Sequence, residues 1–195
     1  MKIVGITGGI GSGKTFVAEL FKKYDVPVYV ADMRAKQLMN ENDQLKEDII
    51  SFFGEKSYKK NLLDRGFLAR QVFADTEKLE KLNCMVHPRV FEDFKLWLKK
   101  LPKQTPYCLY EAAILFERNR QKECDYTILI TAPKAQKINR TIKRDQSTKK
   151  AVLERMKHQW SDDKKIPLAD FVINNINLKD TKTKVEKIHH FLTKA

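Results

Sequence analysis

The fold is decided by residues 8–15, Gly8-Gly9-Ile10-Gly11-Ser12-Gly13-Lys14-Thr15, which directly follow the apolar run Lys2–Thr7. This stretch fits the pattern G-x-x-x-x-G-K-[ST] of a phosphate-binding loop, or P-loop, and it precedes a helical pattern. Its glycines let successive backbone N–H groups converge on phosphate oxygens, and the N-terminus of the following helix presents partial positive charge to the same anion. The loop therefore predicts a nucleoside triphosphate site between a strand and a helix.

The residues of this loop have separate expected roles. We expect Lys14 to reach the β- and γ-phosphates of ATP, the phosphoryl donor, and the Thr15 hydroxyl to complete the coordination shell of a Mg²⁺ ion. The loop residues predicted to bind phosphate are Gly9, Gly11, Ser12, Gly13, Lys14 and Thr15.

Outward from the loop, short apolar runs typical of buried parallel strands alternate with helical patterns, which predicts an α/β fold. About 75 residues between Val30 and Tyr107 show helical periodicity and little strand signal. One crossover unit needs only ~30 residues, so we predict a helical subdomain inserted at about residues 33–104. The predicted strands are Lys2–Thr7, Val26–Val30, Tyr107–Tyr110, Tyr126–Ile130 and Phe171–Ile173; helices are predicted to begin at Gly13, Arg34, Gln44, Arg65, Pro88, Lys134, Lys149 and Thr181.

The composition limits the class of protein. The chain has 195 residues, a hydrophobic content of 42% and a formal net charge of +13. This length fits one domain with a small insertion, and the apolar content excludes intrinsic disorder. We expect no membrane span, because no stretch approaches the roughly 18 uncharged apolar residues that one needs, and no secretory signal, because the chain opens directly on a strand. Three widely separated cysteines predict neither a disulfide framework nor a zinc site, so we expect a cytoplasmic protein.

The positive charge predicts a polyanionic partner and is concentrated in residues 134–165, called here the basic segment. It holds eleven Lys and Arg against four Asp and Glu, a net charge of +7. Arg140 and Arg144 lie four residues apart, on one face of a predicted helix. Guanidinium groups on a closing segment stabilise the charge of a transferred phosphoryl group, and closure excludes water. We predict a lid with Arg140 and Arg144 as catalytic residues; a solvated helical surface is the alternative.

P-loops occur in switches, motors and small-molecule kinases, and other sequence features separate these classes. The N-K-x-D and D-x-x-G motifs of a GTPase switch do not occur in this chain, and 195 residues leave no room for the second motor domain of a helicase. A small-molecule kinase remains.

Two acidic residues follow predicted strands, at the sheet edge where open α/β folds bind ligands. Asp32 can accept the proton of an attacking hydroxyl or hold that hydroxyl in line with the γ-phosphate; alternatively, it merely caps the next helix. Glu111 is predicted to hold Mg²⁺ through water, and the alternative is an ordinary exposed glutamate.

With these features in place, the chain resembles the dephospho-coenzyme A kinase family over essentially all of its 195 residues. Many families share the P-loop, whereas the order and spacing of all the matching stretches are specific to this one. The stretches are Thr7–Lys14; Ala31-Asp32 with Ala35 and Leu38; Asp64-Arg65 with Leu68 and Val72-Phe73; His87-Pro88; Leu115-Phe116-Glu117; Arg140 with Arg144-Asp145; Arg155 with Gln159; Ala169-Asp170; and Asn175.

The resemblance implies a three-layer P-loop kinase fold with a five-stranded, mainly parallel sheet, an inserted helical substrate-binding subdomain and a lid. It implies ATP-dependent phosphorylation of the ribose 3′-hydroxyl of dephospho-coenzyme A, the last step of coenzyme A synthesis. Without the family, His87 before Pro88 is more typical of a helix start. The implied site residues are Asp32 as base; Thr7, Arg65, His87 and Pro88 on the acceptor side; Arg140 and Arg144 in the lid; and Asn175 near the adenine.

Two positions depart from the family pattern. Family members usually carry aspartate where this chain has Val30, and proline where it has Ala113. Val30 removes one carboxylate near Asp32, so details of Mg²⁺ or acceptor binding are expected to differ. Ala113 affects only the local turn after the third predicted strand.

Two other functions fit part of the pattern. A nucleoside, nucleotide or shikimate-type kinase shares the P-loop, an acidic acceptor residue and lid arginines. A nucleic-acid-binding module fits the charge, but the basic segment contains a single aromatic residue, Trp160, to stack on bases. We therefore expect ATP and dephospho-coenzyme A as partners, no nucleic acid and no membrane. We also expect a monomer, although the sequence leaves oligomerisation open.

Overall fold

A computed structural model describes residues 1–73 and 75–194, which form two compact units. The first unit comprises Met1–Val30 and the chain from Pro102 onward, and the second comprises Ala31–Leu101. The second unit is thus an insertion in the sequence of the first. Its role in binding substrate stays a prediction.

The first unit is built on a parallel sheet that places the P-loop at one edge. In the described residues the strands are β1 (Lys2–Thr7), β2 (Val28–Val30), β3 (Tyr58–Lys59), β4 (Leu62–Leu63), β5 (Tyr107–Glu111), β6 (Tyr126–Thr131) and β7 (Phe171–Asn174). Five of them form one sheet in the order β2-β5-β1-β6-β7, and every pairing in it is parallel. The predicted α/β class and the five predicted strands are confirmed.

Most of the predicted helix starts lie within three residues of the first residue of an observed helix. They are α1 (Lys14–Lys22), α2 (Ala31–Glu41), α3 (Asp43–Phe53), α4 (Arg65–Phe73), α5 (Thr76–Lys99), α6 (Lys134–Asp145), α7 (Lys149–Lys157), α8 (Asp162–Lys165) and α9 (Leu178–Lys194). Across the described ranges, no helix combines the length and apolar content needed to cross a membrane.

The core of the first unit lies between the sheet and the helices α1 and α9. Val185, Ile188 and Leu192 recur at helical spacing along α9 and are buried in one cluster with Phe21 of α1 and Val4 of β1. Burial of this apolar stripe fixes α1 against the strand that precedes it. The P-loop is therefore held between two elements of the same core.

The predicted helix start at Pro88 is wrong. Helix α5 begins at Thr76, where the Asp75 side chain accepts a hydrogen bond from the Lys78 N–H at 3.0 Å, and Pro88 lies inside it. Proline removes one backbone hydrogen bond from a helix interior, which normally ends the helix. Here Val86, Val90 and Phe94 are buried at helical spacing on both sides of Pro88. Their packing holds the helix together across the proline.

Strands β3 and β4 and helix α8 are not predicted from the sequence. Strands β3 and β4 form an antiparallel hairpin of two residues each in the second unit. Strands that short show no alternation of apolar and polar residues. Helix α8 has only four residues, too few for helical periodicity to appear.

Candidate active site

The P-loop connects β1 to α1 and is shaped by close contacts around its glycines. Gly11 and Gly13 have φ angles of +79° and +89°, in the left-handed region that glycine adopts without a steric penalty. A Cβ atom at Gly11 would overlap the backbone of Lys137, and one at Gly13 would overlap the side-chain amide of Asn175. Both glycines are therefore required for conformation and for space.

The loop ends at the N-terminus of α1, where an anion is favoured. Gly13 is the N-cap of α1, and the Ser12 N–H donates to the Gly9 carbonyl at 3.0 Å, closing the turn before it. The first turn of α1, all of whose residues are described, contains no acidic side chain. The positive end of the helix dipole thus faces the loop without a competing carboxylate in the first turn of α1.

Lys14, Thr15 and Glu111 meet at this helix start. Glu111 is the last residue of β5 and lies opposite Ile6 of β1 in the sheet. Its Oε1 accepts a hydrogen bond from the Thr15 hydroxyl at 2.8 Å and lies 3.3 Å from Lys14 Nζ. Glu111 is only 2% exposed, so the alternative of an ordinary exposed glutamate is wrong.

Arg140 is brought to the P-loop. Its guanidinium donates to the backbone carbonyls of Asn175 at 3.0 Å and Ser12 at 3.5 Å. The Asn175 side chain donates to the same Ser12 carbonyl at 2.8 Å. Two residues predicted for different roles, one in the lid and one near the adenine, therefore both contact the loop that precedes α1.

Arg144, one helical turn further along α6, is held differently. Its side chain is 63% exposed and forms two hydrogen bonds to Asp145, at 2.6 and 3.1 Å. Arg155 donates to the same carboxylate at 2.7 Å. The Arg144 guanidinium, together with that of Arg155, holds the pKa of Asp145 well below its usual range. Asp145 stays ionised and keeps the two arginines together on an exposed face.

The basic segment is tied to the P-loop by polar contacts that the sequence did not reveal. Gln159 accepts a hydrogen bond from the Ile10 N–H at 2.8 Å, and Lys137 pairs with Asp162 at 2.5 Å. A Cβ atom at Gly9 would lie 3.5 Å from Lys137 Nζ and within 3.7 Å of the Gln159 and Asp162 side chains. These three side chains surround the middle of the loop.

A buried ion pair fixes the C-terminal end of the basic segment. Lys165 is fully buried, and its Nζ lies 2.7 Å from Glu117 Oε1; Glu117 is 9% exposed. The Trp160 N–H donates to the same oxygen at 2.9 Å. Glu117 therefore joins the turn after β5 to both sides of α8.

We expect Lys165→Met to lower the free energy of unfolding by about 3–5 kcal/mol, because it leaves the Glu117 carboxylate buried without its counter-charge. Denaturant unfolding of Lys165→Met and of Lys164→Met, a change at the adjacent exposed lysine, measures the effect. Adding Glu117→Gln should recover part of the loss. Equal stability of the two lysine variants would contradict this assignment.

The acceptor-side residues predicted from the sequence fall in both units. Thr7 is fully buried in the first unit, and its hydroxyl donates to the Ala113 carbonyl at 3.4 Å. Asp32 is exposed in the first turn of α2, which begins at Ala31 rather than at Arg34. Asp32 is the second residue of α2, and the alternative that it stabilises the start of this helix stays a prediction. The other predicted residues of the second unit are the exposed Arg65, the half-buried His87 and the exposed Pro88.

Local hydrogen bonds fix the start of α4 in the second unit. Asp64 accepts a hydrogen bond from the Phe67 N–H at 2.9 Å, as a helix N-cap does, and pairs with Lys59 at 2.5 Å. The Lys59 ammonium and the Phe67 N–H hold the pKa of Asp64 below its usual value. Arg65 is thereby placed as the first helical residue, with its side chain exposed.

The second unit is also cross-linked internally. Arg34 of α2 forms a two-point ion pair with Asp93 of α5, with N–O distances of 2.7 and 3.0 Å. Such paired geometry is the strongest form of the arginine–carboxylate contact. It fixes α2, which carries Asp32, against α5, which carries His87 and Pro88.

Cysteines play no part in this candidate site. Cys84 is exposed, Cys108 is buried and Cys124 is half-buried, and all three are free thiols. Burial raises the pKa of Cys108 and of Cys124 to about 12. Both thiols stay protonated at neutral pH and are weak nucleophiles.

Known proteins resemble the chain over nearly its whole length. The model of the family described as dephospho-CoA kinase matches residues 2–180. The dephospho-CoA kinase of Salinibacter ruber is 35% identical over 196 residues, covering 99% of this chain and 98% of that protein. That of Fusobacterium nucleatum is 38% identical over 187 residues, covering 95% of each. The crystal structure of TT1252 from Thermus thermophilus matches with a TM-score of 0.86 and 30% identity, covering 97% of this chain and 96% of that one.

Proposed function

Because the chain belongs to the dephospho-CoA kinase family, we propose that it transfers the γ-phosphoryl group of ATP to the ribose 3′-hydroxyl of dephospho-CoA, giving CoA and ADP. The observation that carries this proposal is the convergence of Lys14, Thr15 and Glu111 where the P-loop enters α1. Phosphoryl transfer needs little covalent chemistry from the protein; it needs charge stabilisation and alignment. Lys14, with the P-loop, supplies the charge stabilisation on the donor side.

On the donor side, the backbone N–H groups of the loop and the first turn of α1 bind the phosphate oxygens of ATP. Lys14 binds the β- and γ-phosphates, and its pairing with Glu111 keeps the ammonium at the loop before the nucleotide arrives. Arg140 lies against the loop and adds positive charge where the transferred group becomes more negative.

Thr15 and Glu111 would hold the Mg²⁺ ion, Glu111 through water. Both offer oxygen donors, which Mg²⁺ prefers, and among the described residues Glu111 Oε2 is buried without a hydrogen-bond partner. The described part of the chain contains no group of three or more His, Cys, Asp and Glu able to hold a metal. When bound, the ion neutralises charge on the β- and γ-phosphates.

We expect Glu111→Gln to raise the Mg²⁺ concentration that gives half-maximal activity by about tenfold, because the carboxylate that orders the ion's water is replaced by an amide. Calorimetric titration of ATP with and without Mg²⁺ should show that the variant loses affinity mainly in the presence of the ion. The control is Glu19→Gln on the exposed face of α1. An unchanged Mg²⁺ requirement would contradict the metal role of Glu111.

On the acceptor side, we propose Asp32 as the base that receives the proton of the attacking 3′-hydroxyl. Strand β2 is parallel to β5 and ends at Val30, opposite Glu111, so the chain leaves β2 at the sheet edge where β5 ends. Asp32 is the second residue after that point and its side chain is exposed. Arg65, His87 and Pro88 in the second unit, together with Thr7, are proposed to bind dephospho-CoA.

The basic segment is proposed to act as a lid that excludes water from the γ-phosphate. Its helix α6 lies against the P-loop through Arg140 and Lys137, while Arg144 and Arg155 remain on an exposed face. Together with Asp145, these two arginines keep one net positive charge on that face, which attracts an arriving anionic substrate.

An acceptor panel tests the proposed function. The purified chain is mixed with ATP and Mg²⁺ and with dephospho-CoA, shikimate, a nucleoside or a nucleoside monophosphate in turn, and ADP release is followed. Among these acceptors, we expect only dephospho-CoA to give ADP release above background. Turnover of another acceptor without turnover of dephospho-CoA would contradict the proposal.

A further inference from the structure

We propose that Asn175 is a positioning residue that fixes the P-loop for the polyphosphate of ATP, and that it does not recognise the adenine. This inference rests on the proposed function in one respect, because it requires the loop to bind the phosphates of the donor. It assigns to Asn175 a role different from the one that family resemblance implies.

The side-chain amide of Asn175 is occupied inside the protein. Its Nδ2 donates to the Ser12 carbonyl at 2.8 Å, and its Oδ1 lies 3.2 Å from the Thr181 hydroxyl, which donates to it. That hydroxyl proton is shared with the Asn177 carbonyl at 2.8 Å. Because the Ser12 carbonyl can only accept, the NH₂ group must face it and the oxygen must face Thr181. The amide therefore has one orientation.

Burial supports the same conclusion. Asn175 is 7% exposed and Thr181 is 1% exposed, so the pair is shielded from water. An asparagine that recognises a base offers a donor and an acceptor together on one edge. In Asn175 the amide oxygen accepts from Thr181, and one amide hydrogen is donated to Ser12. This pair of groups therefore cannot bind the edge of a base.

The position of this hydrogen bond explains how Asn175 acts on the loop. The Ser12 carbonyl and the Gly13 N–H belong to one planar, trans peptide unit, so the N–H points opposite to the carbonyl. Fixing the carbonyl toward Asn175 therefore aims the Gly13 N–H away from Asn175, as one of the convergent donors of the loop. A Cβ atom at Gly13 would overlap the Asn175 amide, so this contact also requires glycine there.

Arg140 reinforces the arrangement from a second segment. One guanidinium nitrogen is 3.5 Å from the Ser12 carbonyl, and another donates to the Asn175 backbone carbonyl at 3.0 Å. The Ser12 carbonyl thus receives donors from both α6 and the turn that follows β7. Losing the Asn175 amide should loosen the peptide unit without removing any group that touches the nucleotide.

Binding of inorganic tripolyphosphate tests this inference, because that anion has phosphates and no base. Calorimetric titrations with tripolyphosphate, ATP and GTP, all without acceptor, are compared for the wild-type chain, Asn175→Ala, Thr181→Val and Asn177→Ala. Asn177 is the matched control: it is exposed in the same turn, and its side chain accepts from the Lys179 N–H. Thermal unfolding of each variant is measured first, so that the titrations are run at a temperature at which all variants are folded.

We expect Asn175→Ala to weaken tripolyphosphate and ATP by the same factor, about tenfold, the effect of losing one well-formed hydrogen bond. The ratio of ATP to GTP affinity should stay as in the wild-type chain. Thr181→Val should give a smaller loss with the same pattern, and Asn177→Ala should change each affinity by less than about twofold. If Asn175→Ala does not fold, the pattern in Thr181→Val decides.

Three results would overturn the inference: ATP binding that weakens while tripolyphosphate binding does not, a lost preference between ATP and GTP, or a wild-type chain that binds no tripolyphosphate. The test is separate from that of the proposed function. Asn175-dependent tripolyphosphate binding in a chain that fails to phosphorylate dephospho-CoA would support the inference and contradict the proposed function.

Discussion

Lys14→Ala is expected to lower kcat/KM for ATP by about 10³-fold, through both a higher KM and a lower kcat. Lys14 is the cation of the P-loop motif, and it is proposed to bind the oxygens that bear charge in both the bound nucleotide and the transition state. A contact that is made in the bound nucleotide and becomes stronger in the transition state affects KM and kcat together. Steady-state kinetics with ATP varied and dephospho-CoA saturating measures the two effects separately.

The Lys14 result needs a control for stability, because its ammonium is 3.3 Å from the buried Glu111 carboxylate. Removing one partner leaves the other without its counter-charge, so Lys14→Ala should also unfold more easily. The double variant Lys14→Ala with Glu111→Gln should recover stability without recovering turnover. Lys22→Ala, on the exposed face of the same helix, should leave kinetics unchanged. Recovery of turnover in the double variant would show that Lys14 acts only through folding.

Asp32→Asn is expected to lower kcat by about 10²-fold or more while the affinity for ATP stays nearly unchanged. Asparagine has almost the same shape as aspartate but cannot accept the proton of the attacking hydroxyl. The loss should therefore appear in the chemical step. Single-turnover kinetics with ATP prebound, together with a calorimetric titration of ATP, distinguishes a slower step from weaker binding.

An acidic residue in the first turn of a helix also stabilises that helix, so this second effect of Asp32 must be separated from catalysis. Asp43 supplies a matched control, because it is an exposed acid in the first turn of α3. Asp43→Asn should reproduce any loss of stability without loss of turnover. If Asp32→Asn loses no more activity than Asp43→Asn, then Asp32 is not the base.

The sequence predicts the first unit well because its signals are local. A P-loop requires a strand before it and a helix after it, and short apolar runs identify buried parallel strands. These signals place β1 and β5 within one residue of their observed ends. The second unit is less predictable, because packing on both sides of Pro88 overrides the usual effect of a proline and extends α5 back to Thr76.

The candidate site is predicted only in part, because some of its residues lie in a local motif and others are brought together by the fold. Lys14 and Thr15 follow from the motif itself, whereas the burial of Glu111 depends on the pairing of β5 with β1. The contacts Gln159 to Ile10 and Lys137 to Asp162 join residues far apart in the chain, and no local pattern signals them. Gln and Lys are common on exposed surfaces, so these residue types do not predict a position beside the P-loop.

Several expectations from the sequence stay predictions: a monomeric state, a cytoplasmic location, and the absence of nucleic-acid and membrane partners. The charge of +13 that suggested a polyanion has a partial structural account. Lys137 and Lys165 are buried in ion pairs, and Arg140 is half-buried against the P-loop. The charges of Lys137 and Lys165 are cancelled by Asp162 and Glu117, so of these three residues Arg140 brings excess positive charge to the P-loop.

The identity of the product is the decisive test of the proposed phosphoryl transfer to dephospho-CoA. Dephospho-CoA is incubated with the purified chain, Mg²⁺ and ATP labelled in its γ-phosphate, and the products are separated by chromatography and assigned by phosphorus NMR. We predict CoA and ADP in equal amounts, with the label in a phosphomonoester on the ribose 3′-oxygen. Label recovered as inorganic phosphate, or on any other oxygen of the acceptor, would contradict the account.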